Sequence, residues 1–542
     1  MNKALLLFCP LLWLAGCSDG KYSDAGKTVF RYNESSNITS LDPAYAKDQA
    51  NIWAVYQLYN GLVQLDNQLR VVPCIASSWE ILNSGREYRF HLRRDVFFHD
   101  NACFKDGKGR RVSPKDFIYS FNRIIDKNTA SPGSWVFNPV SKQNNHYSFS
   151  SPDDSTLIIA LDKPFPPFLG LLSTVYCSVI PEEGIRKYGQ EFRKNPVGTG
   201  PFYFQIWKEG SKLVLLKNKH YFETEGEQRL PFLDAVAITF LPDKQSAFLE
   251  FMKGRLDFLS GLDVSYKDEL LTKKGTLNPK YIGRINLVSQ PYLNTEYLGF
   301  MMDPGKNSSF RNPLQEKMIR QAVNYAFDRR KMVEYLRNNI GMPGTAGIIP
   351  PGLPSFDTSL TCYDYQPEKA RNILKSAGLN KNGEIIEITL STTADYLDIC
   401  KYIQHQVEEV GLKLNITIQQ PAALKEMKSQ SKVPFFRASW IADYPDAENY
   451  LSLFYSRNFC PIGPNYTHYS SGEFDKLYEK ALETVNDSLR YDYYRKMEKI
   501  MMEEAPVVIL YYDQVLRFIH SNVKGLESDA MNMLKLKRAR KV

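Results

Sequence analysis

Near its start the chain carries one long uncharged, mostly apolar run, and thereafter apolar residues recur at two periods, every second or every third to fourth position. Residues 4–16 carry no charge and are interrupted only by Pro10, after a start made positive by Lys3. A bilayer-spanning helix needs about 20 apolar residues, so this shorter run reads as the apolar region of an export signal. Period-two alternation then predicts strands over 28–32, 87–92, 96–99, 157–161, 200–207, 213–217 and 235–240, with 87–92 and 96–99 paired around a turn. Helical spacing aligns Ile52, Val55, Tyr56 and Tyr59 on one face of 51–59, and Ser113-Pro114 opens a second helix that runs to about residue 125. From residue 290 onward the pattern becomes a βαβ rhythm: a strand over 297–301, a helix over 314–327 continued by 328–338, a helix over 367–377 and a strand over 385–390. A helix over 396–410 and a strand over 414–418 follow, and two amphipathic helices, 473–485 and 488–504, precede an apolar strand over 507–511. These elements specify an α/β protein.

The length of 542 residues exceeds what one domain of about 150 residues needs, so more than one lobe is expected. With 43% hydrophobic and 24% charged residues, neither wholesale disorder nor a multi-span membrane protein fits. Tyr, Phe and Trp number 33, 31 and 6, enough to line a cleft as well as fill a core. The net charge of +8 is a small difference between 68 basic and 60 acidic residues, and does not point to nucleic acid.

The apolar run ends in Leu14-Ala15-Gly16-Cys17, which resembles the bacterial lipobox, where a diacylglycerol is attached to the cysteine thiol before cleavage. The resemblance implies a signal peptide over 1–16, lipidation at Cys17 and a small, polar tether over 17–27 that holds an exported body to a membrane. Six cysteines remain, Cys74, Cys103, Cys177, Cys362, Cys400 and Cys460, and export makes disulfides plausible without fixing their pairing.

The sequence carries no recognised catalytic or metal motif. The seven histidines never fall at HxxxH or HExxH spacing, there is no CxxC, and there is no GxSxG. His99 sits among Phe97 and Phe98 and is expected to be structural, while Gly198-Thr199-Gly200 is expected to be a turn rather than a phosphate cradle. No enzyme, metal or cofactor is expected.

Several blocks together resemble the family 5 solute-binding proteins of ATP-driven importers. They are Leu41-Asp42-Pro43, Tyr59-Asn60-Gly61-Leu62-Val63, EYRFHLRRDVFFHD at 87–100, VSPKDFIYSF at 112–121, NPVGTGPF at 195–202, IRQAVNYAF at 319–327 and WIADYPDAEN at 440–449. The resemblance implies a two-lobe periplasmic-binding-protein fold of type II, with a hinged cleft and an extra subdomain in the first lobe. On this chain it implies a discontinuous lobe 1 over 28–59, 191–290 and 512–542, the extra subdomain over 60–190, and lobe 2 over 291–511.

Within Arg437-Ala438-Ser439-Trp440-Ile441-Ala442-Asp443 the resemblance places the ligand strand. Asp443 falls where the family pairs an aspartate with the free amine of a peptide, by a charge-assisted hydrogen bond. Arg437 falls where an arginine can meet the carboxylate of a short peptide, with a structural ion pair as the alternative. Trp440 is offered as an aromatic wall, with a core tryptophan as the alternative, and Ser439 as a supplier of backbone groups to an extended peptide. One departure is Lys47, which stands four residues beyond Pro43 where the family often has an acidic residue, and which keeps open a ligand with an additional carboxylate, such as a murein tripeptide.

The function expected is therefore an extracytoplasmic, membrane-anchored lipoprotein, monomeric, that captures short peptides and delivers them to the permease of an ABC transporter. A second reading rests on the chain's end, where five of the seven residues 535–541 are basic (KLKRARK): a solvated tail that could attract sulfated glycans and make the protein an adhesin.

Overall fold

The computed structural model describes residues 26–144, 146–261, 263, 265–303, 312–377 and 385–542, so the lipobox and Cys17 lie outside the described residues. Two long antiparallel strands, Ile285–Phe300 and Val507–His520, form its axis. They pair from Ile285 opposite His520 to Gly299 opposite Val507, and the ladder is interrupted between Pro291 and Thr295. Proline has no N–H to give to a ladder, so the pairing slips where Pro291 stands.

Either side of this slip the two strands belong to different lobes. Val507–His520 pairs through its last residues with Phe258–Ser260, and the sheet continues through Val29–Asn33, Ala235–Thr239, Lys212–Lys217 and Phe202–Lys208. Ile285–Phe300 pairs through its second half with Phe435–Ile441, and the sheet continues through Ile386–Thr392 and Leu412–Ile418. In the second lobe the strands alternate as period two demands: Tyr297, Phe436 and Ala438 enter one core while Leu298, Phe300 and Phe435 enter the core on the opposite face. The expected α/β, two-lobe architecture is what the chain adopts.

A separate four-stranded sheet, Ala76–Leu82, Glu87–Leu92, Thr156–Ala160 and Phe149–Ser150, packs beside the first lobe. Here the expected hairpin of 87–92 with 96–99 does not form. Glu87–Leu92 pairs with Ala76–Leu82 and Thr156–Ala160 instead. The intervening Arg93 and Asp95 pair with each other at 2.8 Å, and Val96 and Phe98 turn inward to the core, leaving Phe97 with only an isolated bridge to Arg111. The helix Pro114–Ile125 begins as expected, with Ser113 Oγ and its backbone N–H both donating to Asp116, at 2.9 and 2.8 Å.

Three other boundaries differ from the sequence pattern. The two helices expected to run on from 314 to 338 are separated, as Lys317–Tyr325 and Arg329–Arg337, because Asp328 leaves helical geometry and caps the second through Arg330 N and Lys331 N. The strands expected over 297–301 and 507–511 are 16 and 14 residues long: the first half of Ile285–Phe300 is mostly half buried or exposed and lacks an apolar run, while in Val507–His520 the half-buried Asp513 and Gln514 interrupt the apolar run before the buried residues 515–519. Gly198 and Gly200 lie in irregular chain leading into the strand Phe202–Lys208 rather than in the expected turn, and both lie so close to Leu58 that a Cβ would meet its carbonyl oxygen at 2.1 and 2.7 Å. His99 is buried with Nε2 3.0 Å from Gly200 O, and burial lowers its pKa to about 4, so it is neutral and structural.

The basic end of the chain is not a solvated tail. Lys535 is 3% exposed and pairs with Asp529 at 2.8 Å, while its ammonium also donates to Leu65 O and Asp66 O at 2.9 and 3.1 Å. Lys537 pairs with Glu223, Arg538 with Glu225 and Glu527, and Lys541 with Asp257. Only Arg540 of the five is exposed, and it lies over the Phe232 ring. The alternation of basic residues with Leu534, Leu536 and Ala539, all fully buried, is what draws the segment into the first lobe. The six cysteines Cys74, Cys103, Cys177, Cys362, Cys400 and Cys460 are all free thiols.

Candidate functional site

A cavity of about 440 Å³ lies where the two lobes meet. The first lobe contributes Lys47 and the helix Gln49–Leu58 through Trp53 and Tyr56, the extra subdomain contributes Trp135 and Tyr176, and the second lobe contributes Ile441, Asp443 and Tyr444. Tyr292, beside the slip in the long strands, and the segment 529–535 complete it. Its volume and its aromatic lining suit a small organic ligand. A larger hollow of about 650 Å³ beside the helix Pro367–Ser376 has no aromatic wall and no contribution from the first lobe.

Asp443 is placed by the strand Phe435–Ile441 and by the loop that follows it. That loop is fastened: Asp446 accepts from Arg490 at 3.2 Å and Tyr494 at 2.8 Å, and Glu448 accepts from the hydroxyls of Tyr444 and Tyr478. Asn449 reaches back, accepting from Asp443 N at 3.2 Å and donating to its carboxylate at 3.5 Å. The carboxylate opens to the cavity yet is hemmed in by protein, and this burial pushes its pKa up, the Asn449 amide offsetting part of the effect. Among the described residues no cationic side chain lies within ion-pairing distance of it.

Arg437, six residues earlier, is not in this cavity. It pairs with the buried Glu296 on the neighbouring strand and stacks on Tyr396, its guanidinium carbon 3.4 Å from the ring centroid. Among the described residues its Nε has no hydrogen-bond partner. Trp440 is not a cavity wall either: side chains alternate along a strand, so it points away from Ile441, packs against the second lobe's core and donates Nε1 to Asn449 Oδ1 at 2.8 Å. Ser439 lies opposite Glu296 in the sheet. The far edge of its strand is open, since Phe435–Ile441 pairs residue for residue with 294–300 on one side but only through Phe436 with Ser391 on the other.

The wall formed by 529–535 has no sequence signal as a binding element. It is held by Trp53 Nε1 donating to Asn532 O at 2.8 Å, Gln57 Nε2 to Leu534 O at 2.7 Å, and Arg517 to Asn532 Oδ1 and Met533 O at 3.0 and 2.9 Å. Its basic residues were legible, but their burial was not. A solvated tail is the expectation for 535–541, and instead Lys535, with its partner Asp529, forms part of the cavity wall.

Two α/β lobes joined by a pair of crossing strands, with an aromatic cavity at the junction, define a hinged ligand-binding protein rather than a scaffold. The profile of the bacterial extracellular solute-binding proteins, family 5, middle region, matches residues 70–459, and the chain belongs to that family. It is 26% identical over 497 residues to the dipeptide-binding protein of Escherichia coli K12, covering 88% of this chain and 87% of that protein. Among solved structures it resembles the unliganded open form of the murein tripeptide binding protein MppA, with a TM-score of 0.80 and 22% identity over 95% of this chain and 98% of that one. It also resembles the DppA binding protein of Helicobacter pylori in complex with the peptide STSA, with a TM-score of 0.73 and 24% identity over 95% of this chain and 98% of that one.

Proposed function

We propose that this protein captures short peptides in the interlobe cavity, with the free α-amine of the peptide on Asp443, and delivers them to the permease of an ABC importer. The observation that carries this reading is Asp443: a carboxylate held on a rigid loop, facing the cavity, with no cation of its own among the described residues. A protonated amine supplies that cation. The open edge of Phe435–Ile441, which includes Ser439, gives an extended peptide main-chain partners without reading its side chains, so many sequences can be accepted. Closure of the lobes 28–59, 191–290 and 512–542 with 60–190 onto 291–511 would then present a new surface to the permease.

Titration calorimetry of one peptide in free and N-acetylated forms tests the amine clamp. The free form binds and the acetylated form loses most of the affinity. Asp443→Ala costs about 3 to 5 kcal/mol, two to four decades, because it leaves a desolvated ammonium without its counter-charge. Equal affinity for the two forms excludes the clamp. A ligand carboxylate reaches Arg437 only by sharing it with Glu296, so Arg437 has a secondary part in this reading. Lipid anchoring through Cys17 belongs to the same proposal; Cys17→Ser is expected to release the protein from membranes, and unchanged detergent partitioning would refute it.

A further inference from the structure

Four charged side chains line the cavity, and they divide into two kinds. Asp529 and Lys535 satisfy each other at 2.8 Å and are buried, so neither offers net charge to a ligand. Asp443 and Lys47 do not: each is exposed in the cavity wall, and neither forms a salt bridge with a described residue. They also stand on different lobes, Asp443 after the strand Phe435–Ile441 and Lys47 in the short stretch between the turn Pro43–Tyr45 and the helix Gln49–Leu58.

The acidic neighbour of Lys47 is already engaged. Asp48 caps the helix, accepting from Asn51 N and Asn51 Nδ2 at 3.1 Å each. The backbone around Lys47 is fixed as well, with Lys47 N donating to Tyr45 O at 2.9 Å and Ala46 N to Pro43 O at 3.3 Å. A lysine tied down at its backbone and free at its ammonium presents a cation that can follow a ligand of variable length. Arg437, the other cation that could meet a carboxylate, is held by Glu296 and lies outside the cavity.

We propose that Lys47 is the carboxylate anchor of this cavity, so that the preferred ligand is a short zwitterionic peptide held across the lobes with its amine on Asp443 and its carboxylate on Lys47. The inference rests on the peptide reading of the cavity and deepens it. A ligand with both charges contacts both lobes at once, and only contacts made in the closed arrangement favour closure. A peptide without a free carboxylate satisfies one lobe and leaves the ammonium of the other unengaged.

The test is titration calorimetry of di-, tri- and tetra-alanine, each as the free peptide, the C-terminal amide and the N-acetyl form, against the wild-type protein, Lys47→Gln and Arg437→Gln. For the tightest-binding length, amidation is expected to weaken wild-type binding about 10-fold or more, the effect of losing one charge-assisted hydrogen bond. Lys47→Gln is expected to weaken the free peptide to the same extent, to bind the amide as the wild type does, and still to reject the N-acetyl form. If Lys47→Gln keeps the wild-type preference for the free carboxylate while Arg437→Gln loses it, the carboxylate is held by Arg437 and the proposal is overturned. If amidation has no effect on the wild type, it is also overturned. Acceptance of the N-acetyl form refutes the amine clamp instead, and is read independently of the amide comparison. Absence of binding by every free peptide overturns both.

Discussion

Trp440 and Asp443 share one acceptor: the side-chain oxygen of Asn449 takes the indole N–H of Trp440 at 2.8 Å and the backbone N–H of Asp443 at 3.2 Å. The indole lies on the core side of the strand and the carboxylate opens into the cavity, so a tryptophan with no exposure to the cavity fixes the orientation of the amide that in turn steadies Asp443.

Trp440→Phe is therefore expected to weaken peptide binding without removing any ligand contact. Loss of one neutral hydrogen bond is worth about 0.5 to 1.5 kcal/mol, which corresponds to roughly 2- to 10-fold in affinity. The loss is far smaller than that expected for Asp443→Ala. Calorimetry with a single free peptide compares the two, and a Trp440→Phe protein that binds as tightly as the wild type would show that the Asn449 amide needs no such support.

Binding is expected to be bell-shaped in pH. Burial raises the pKa of Asp443 in the empty cavity, so as pH falls through that value the carboxyl becomes neutral and can no longer hold an ammonium. At the other limb the peptide's α-amine loses its proton near pH 8, and the pair is lost again. On the acid limb, binding draws Asp443 into its charged form and releases a proton. Calorimetry in buffers of different ionisation enthalpy, from about pH 4 to about pH 9, detects that proton. Asp443→Asn should abolish both the release and the acid limb.

The residues that read clearly in the sequence are those whose pattern is local. The cap at Ser113, the helix start at Pro367, the helix end before Gly411, and the family block that contains Asp443 depend on neighbours a few positions away. The partners of Glu87–Leu92 were not legible, because the strand it chose on one side, Ala76–Leu82, is polar on most of its exposed face and carries no clean alternation. The lengths of the two crossing strands were hidden for a related reason: each changes neighbours along its course, so its burial is not uniform. Whether Trp440 and Arg437 faced a cavity or a core depended on residues far away in the chain, Asn449 and Glu296, and strand period alone leaves that choice open. The end of the chain misled most, since density of charge is local while the buried acids that meet it, Glu223, Asp257 and Asp529, are not.

Glu498 gives the fold a pH dependence that can be isolated by one substitution. It is buried in the second lobe, accepts from Ile349 N at 2.8 Å, and burial raises its pKa from 4.5 to about 8. Between those values the folded chain holds a proton that the unfolded chain releases, so this group's contribution to stability declines as pH rises from about 4.5 to about 8. Glu498→Gln keeps the acceptor and removes the titration. The melting temperature of the variant relative to the wild type is expected to rise with pH across that window, and a constant difference would mean that Glu498 does not titrate there.

The chain's basic end is expected to behave as core rather than as a tail. Lys535→Met leaves the carboxylate of Asp529, with no exposed side-chain area, without its cation, and removing one partner of a buried pair costs about 3 to 5 kcal/mol. A second change, Asp529→Leu, removes the stranded charge and should recover part of the loss. Deletion of 535–542 breaks the pairs to Asp529, Glu223, Glu225, Glu527 and Asp257 together, and takes away part of the cavity wall. The truncated chain is therefore expected to melt several degrees lower, or not to fold, and to lose peptide binding with it. A heparin column run in a salt gradient supplies the contrasting measurement. Binding through several free cations falls steeply with salt, and four of the five basic side chains here are paired with acids, so the intact protein should elute early. Strong, salt-sensitive retention that disappears in a truncated protein still able to fold and bind peptide would show instead that the segment is a glycan-binding tail.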